Sequence, residues 1–250
     1  MADTDTKPAK APLVERGYVI PNPDMHHWDE TEQVPELQWP MSNHIFKRME
    51  REDTRVTSLL TAIALPIRRT AWRIDTNGAR DEVVEFVADN LGLTIKGQPE
   101  PESRPRTRGR FSWPKHLQLV LQMLKYGHAY FEQVYAIDGA GRARLRKLAP
   151  RPQSSIASIN VARDGGLVSI EQYAPGGLIR GDAVIPVDRL VAYVRDPEPG
   201  SWIGESILRP AYKHWLLKDE LMRIQAATAR RNGMGVPMYK GPPGATTEDL

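Results

Sequence analysis

Eight cations recur in two short runs of this 250-residue chain. Arg104, Arg106, Arg108 and Arg110 alternate along Arg104-Pro-Arg-Thr-Arg-Gly-Arg110, and Arg142, Arg144, Arg146 and Lys147 follow one another along Arg142-Ala-Arg-Leu-Arg-Lys147. In an extended backbone successive side chains point to opposite faces, so each alternating run puts its guanidiniums on one side. A one-sided row of permanent cations suits a polyanion, and nucleic acid is the commonest one. Residues 104–151 hold eleven Lys and Arg against two Asp and Glu, whereas residues 1–40 hold three against eight. Two readings follow: contact with a phosphate backbone, or a solvated basic face matched by an acidic neighbour, including one on another subunit.

Other chemistry is sparse. The chain has no cysteine, which excludes disulfides, thiolate zinc sites and cysteine nucleophiles. It lacks G-x-x-x-x-G-K-[ST], H-E-x-x-H, an EF-hand loop and G-x-S-x-G. Gly233-Met-Gly235 begins a dinucleotide fingerprint, but Met238 stands where the third glycine belongs, after a helix instead of a strand. His26-His27 sit in a loop, where adjacent side chains diverge, with no third ligand nearby. His128 stands at a helix-to-strand junction, where a hydrogen bond is its ordinary role, and His214 lies on a helix. Asp188, Asp196 and Glu205 form no recognisable catalytic pair. No catalytic residue, metal site or cofactor is expected. Trp72, Trp113, Tyr130, Phe131, Tyr135, Tyr212 and Trp215 fall in helix or strand patterns that favour core packing over base stacking, and Trp202 falls in a loop.

The elements that position the cations can be read from periodicity. Residues 1–40, with six prolines and many acids, read as an extended or disordered arm. A helical stretch spans 43–65, with Asp53 as the cap of its second half, Val56, Leu59, Leu60 and Ile63 as its buried face, and Pro66 as its stop. A strand is predicted over 70–75 with Trp72 and Ile74 on one side, then a helix over 80–91 with Val83, Val84, Val87 and Leu91 inward and Gly92 as its stop. Ser112 caps a third helix, faced by Leu117, Val120, Leu121 and Leu124 and ended by Gly127. A strand over 128–137 turns at Asp138-Gly139 into a basic return strand over 142–148. Strands near 156–161, 167–173, 183–185 and 190–194 complete one antiparallel sheet. A long amphipathic helix begins near Ser206 with Pro210 in its first turn. Its apolar stripe is Leu208, Ala211, Tyr212, Trp215, Leu216, Met222, Ala226 and Ala229, and it closes at Asn232-Gly233. The expected fold is α+β: an antiparallel sheet with several packed helices and one long amphipathic helix. The divisions are an arm (1–40), an α+β body (41–200), a helix with a following extended segment (201–240), and the start of a further element (241–250). No apolar run reaches the roughly 20 residues that span a bilayer. The first ten residues lack the apolar core of a secretion signal.

Three stretches, in order, resemble the portal proteins of tailed bacteriophages. They are Met49 to Ile74, Leu121 to Tyr135, and Val187-Asp-Arg-Leu-Val191 with Trp202-Ile-Gly-Glu-Ser-Ile-Leu-Arg209 and Arg231-Asn-Gly-Met-Gly-Val-Pro237. The resemblance covers most of residues 41–240 and implies a wing-like body leading toward a stem. It also implies a homo-oligomeric ring, usually a dodecamer, at one capsid vertex of the virion, which is assembled in the host cytoplasm. Such a ring meets the major capsid protein, terminase and head–tail adaptors and passes double-stranded DNA without sequence specificity. It carries no enzyme activity and no membrane partner. A different phage virion or DNA-binding head-completion protein is the alternative.

Overall fold

The computed structural model describes residues 17, 19, 32–99, 111–173 and 183–235. The chain divides into two compact units, one running to Arg209 and one beginning at Pro210.

Within the 1–40 stretch, the described end is ordered. Pro35–Leu37 forms a 3-10 turn that buries Leu37 and leads into α1 (Ser42–Glu52), whose Phe46 and Met49 are buried. Asp53 then caps α2 (Thr54–Arg69), its Oδ1 accepting the Arg55 N–H at 2.8 Å. Two expectations for this helix fail. Pro66 lies inside it, in the last turn, and its carbonyl accepts both the N–H and the hydroxyl of Thr70 at 3.0 and 2.9 Å. Proline costs most in a helix interior, and this close to the end little ladder remains to break. The better-buried stripe is Val56, Leu60, Ala64 and Ile67, an i, i+4, i+8, i+11 series, while Leu59 and Ile63 are exposed.

The strand expected over 70–75 contracts to β1 (Arg73–Ile74), paired in parallel with β2 (Thr94–Ile95) around α3 (Asp81–Leu91). Gly92 stops α3 in the left-handed conformation, as expected, but Val83 and Val87 face outward and only Val84 is fully buried. The single helix expected between Ser112 and Gly127 is interrupted at Leu121 into α4 (Trp113–Val120) and α5 (Gln122–Tyr126). Ser112 occupies the cap position of α4 without a side-chain bond.

β3 (His128–Ile137) is the centre of the first unit. It pairs antiparallel with β4 (Ala143–Arg151) on one side and β8 (Leu190–Val194) on the other. β5 (Ile156–Val161), β6 (Leu167–Gln172) and β7 (Ala183–Pro186) form a separate antiparallel sheet, so one expected sheet is two. The reason lies in the first half of β3, His128 to Phe131, which is buried on both faces and needs cover on both. Ala129 and Phe131 pack with Val120 of α4. Tyr130 packs with Ile156, Leu167, Ile170, Ile185 and Leu190, and Trp39 and Trp202 close over that core. The layers run helices, sheet, sheet, and the fold is α+β.

Among the described residues, the second unit is built on α6 (Tyr212–Gly233). It starts later than the sequence suggests, because residues 207–211 are turns. Tyr212 and Trp215 are buried and stack at 6.2 Å, but from Leu216 onward every described residue is exposed. The predicted buried stripe therefore stops after one turn, and Leu216 and Met222 lie in solvent. No described helix is long and apolar enough to cross a membrane.

Candidate functional site: a basic hairpin and the lead-in to the long helix

The β3–β4 hairpin gathers four of the eight predicted cations, and the structure treats them differently. The turn is a five-residue loop in place of a tight Asp138-Gly139 corner. Asp138 Oδ1 accepts the N–H groups of Ala140 and Arg142, both at 2.9 Å. Its Oδ2 accepts Arg144 Nε at 3.0 Å and lies 3.4 Å from Arg142 Nε. The Arg142 amide, the Arg144 guanidinium and the other loop donors hold the Asp138 carboxyl down at about 2. Arg144 also donates to Asp89 of α3 at 2.8 Å and lies 4.5 Å from the centre of the Phe86 ring. The Leu145 N–H donates to Asn90 Oδ1 at 2.8 Å, so α3 closes the open edge of β4. Arg144 is thus a fastener between hairpin and helix.

Arg146 is different. The register passes from Tyr135↔Leu145 to Val134↔Lys147, leaving Arg146 as the extra residue of a β-bulge. The expected alternation of basic and apolar residues breaks there. Arg146 and Lys147 are exposed, with no ion-pair partner among the described residues. Tyr135 and Ile137, on the facing strand, are also exposed, against the core role expected of Tyr135. Trp72 is likewise partly exposed, resting on Trp113 with ring centres 5.7 Å apart. Arg104, Arg106, Arg108 and Arg110 lie outside the described residues.

A second concentration of polar contacts holds residues 195–209, which lead in to α6. A Cβ on Gly127 would lie 2.6 Å from the Gly204 oxygen, and one on Gly204 would lie 2.4 Å from the Gly127 oxygen. The two backbones meet only because neither residue carries a side chain. The Arg195 N–H donates to the Gly127 carbonyl at 2.8 Å, Glu205 N–H to Arg195 at 2.9 Å, and Ile207 N–H to Leu124 at 3.0 Å. The buried Ser206 hydroxyl donates to the Lys125 carbonyl. The Tyr130 hydroxyl donates to the Trp202 carbonyl, and the Trp202 indole N–H to Gly165 at 2.9 Å. His128, fully buried, sets Nδ1 2.8 Å from the Ile203 carbonyl. A carbonyl only accepts, so Nδ1 carries the proton and the unpartnered Nε2 is bare. Burial pushes this histidine down to about 4, against the opposing pull of the Ile203 bond, so the ring is neutral near neutral pH. At the far end of the segment, Arg209 grips Glu32 through two nitrogens, one at 2.8 Å.

Sequence reasoning recognised Gly127 as a helix stop. It missed the pairing of Gly127 with Gly204, the bond between Glu32 and Arg209, and the α3 residues that hold Arg144. No local pattern signals these contacts, which join points far apart in the chain. No group of three His, Asp or Glu among the described residues is placed to hold a metal.

The first unit offers a fixed hairpin with two free cations and a pinned lead-in, and the second unit, taken by itself, a helix that exposes Leu216, Leu217, Leu221, Met222 and Ile224. In comparison with known families, the sequence model described as "Portal protein of Mu bacteriophage" matches residues 44–250.

Proposed function

The chain belongs to the bacteriophage portal protein family, whose members are structural, and from that premise we propose that it is one subunit of a closed homo-oligomeric ring. The ring is a dodecamer at one capsid vertex of the virion. It surrounds the channel for double-stranded DNA during packaging and ejection, and it docks terminase and head–tail adaptors. The major capsid protein surrounds it.

The observation that carries this reading is α6. Most helices in proteins are held less by intrinsic propensity than by packing on an apolar face. Past its first turn α6 has only exposed positions, five of them large and apolar. Leu217, Leu221 and Ile224 follow an i, i+4, i+7 spacing, and Met222 lies away from them, so no single face gathers the exposed apolar surface. Contact with neighbouring copies on two sides supplies cover that the described residues do not. A heterologous contact repeated by rotation closes a ring. The outward Leu59, Ile63, Val83 and Val87 are further apolar surface of the same kind. Arg146 and Lys147 are the described predicted cations free to meet phosphate or an acidic neighbour. Duplex contact of that type carries no base information, as a sliding duplex requires.

The test is the mass and shape of the purified protein in solution. Substituting Leu217→Lys and Leu221→Lys together should collapse the assembled species to monomer while leaving the helical circular dichroism of the first unit unchanged. Assembly that persists in this variant would remove α6 from the interface.

A further inference from the structure

We infer that residues 32–41 are a strap that fastens the lead-in of the long helix, and that the Glu32–Arg209 ion pair is its buckle. The inference concerns contacts within one subunit and does not rest on the ring.

Glu32 is the focus. Its carboxylate receives Arg209 through both Nε and Nη2, the fork geometry that makes arginine–carboxylate pairs strong and directional. The same Oε1 accepts the Val34 N–H at 2.9 Å, and the Glu32 carbonyl accepts Gln38 Nε2 at 3.1 Å. The carboxylate is therefore pre-aimed by its own segment. That segment is itself anchored: Leu37 is buried, Trp39 packs on the core between the two sheets, and the Ser42 N–H donates to the Gln38 carbonyl at 3.0 Å. Arg209 is the last residue of the first unit.

A second contact bears on the opposite end of the lead-in. Val19 N–H donates to the Arg163 carbonyl at 2.9 Å, and its side chain lies against Gly165, where a Cβ would come within 3.1 Å of it. The Gly165 carbonyl in turn accepts the Trp202 indole. The N-terminal part of the chain thus reaches both Trp202, through Gly165, and Arg209, directly. Between those two points the lead-in is bonded to α5 and β3 through Ile203, Ser206 and Ile207. The Arg209 side chain keeps 36% of its exposure and Glu32 only 10%, so the carboxylate end of the buckle is largely enclosed.

Hydrogen exchange of the intact chain tests this. Glu32→Gln removes the charge, and Arg209→Lys keeps the charge but loses the fork. Each should speed exchange at the Glu205, Ile207 and Leu208 amides about fivefold to tenfold, as expected for local opening, while β3 and β8 amides keep their rates. The swap Glu32→Arg with Arg209→Glu should bring the lead-in amides back to within about twofold of the parent. Unchanged exchange over 203–209 in both single variants would overturn the proposal, and so would an increase spread equally over β3 and β8. Particle mass, measured on the same samples, reports the ring separately.

Discussion

Gly204→Ala is the sharpest test of how the lead-in is held. The added Cβ would stand 2.4 Å from the Gly127 oxygen, 2.6 Å from the Arg195 oxygen and 2.8 Å from Val194 Cγ1. Two of these three atoms are backbone and cannot swing aside. Gly204 also has φ of +67°, where an L side chain costs about 1–2 kcal/mol. Overpacking adds about 1–3 kcal/mol. Relieving it by moving the backbone loosens the Arg195–Gly127 and Glu205–Arg195 bonds, each worth about 1 kcal/mol. Lower chain entropy in the unfolded state returns about 0.5–1 kcal/mol. The net expectation is a loss of about 4 kcal/mol. Gly92→Ala is the control, because Gly92 has nearly the same φ, +62°, with nothing within 4 Å of its Cβ position. It should cost about 1 kcal/mol. With a urea slope of about 3 kcal/mol/M, the difference is a midpoint shift of about 1 M, read by tryptophan fluorescence. Equal midpoints for the two variants would mean that the Gly127–Gly204 contact has room to spare and does not hold the lead-in.

Three further outcomes follow from the same geometry. His128 has a folded value of about 4 against an ordinary 6.5. The unfolded chain binds the extra proton first, so stability falls as pH drops from 6.5 to 4 and this contribution levels off below 4. The loss approaches about 3 kcal/mol, and His128→Gln, whose amide can still donate to Ile203, should remove this contribution in urea titrations and leave the one from His116, which burial also lowers to about 4. Arg144→Ala should cost about 1–2 kcal/mol by thermal unfolding, since it removes the bonds to Asp138 and Asp89 and the contact with Phe86, whereas Arg146→Ala with Lys147→Ala should stay within about 0.5 kcal/mol. That same double variant should lower the slope of log affinity for duplex DNA against log salt by about 2, and an unchanged slope would place both cations away from phosphate.

Periodicity located most elements because the hydrophobic signal is local. β3, β5 and β8 fall where alternation and branched residues place them, and Gly92 and Gly127 stop their helices because the chain there needs the left-handed conformation. What failed was facing and partnership. Val56 and Leu60 face inward but Leu59 and Ile63 do not, because an apolar helix with two candidate stripes leaves the choice to its neighbours. The two-sheet arrangement depends on what covers each side of β3, which alternation alone does not say. Among the cations, sequence supplied the run from Arg142 to Lys147 but not the bulge that frees Arg146 or the Asp89 and Phe86 that engage Arg144. The long helix was legible as a helix, but its apolar residues gave no sign that they would stay in solvent past Trp215.

Electron microscopy of the natively purified protein, joined to native mass measurement, bears most directly on the ring. Particles should be closed annuli with a central opening wide enough for a DNA duplex and a mass that is a fixed multiple of the subunit. A single 28.2 kDa species at every concentration and salt would contradict the assignment of α6 to contacts between copies.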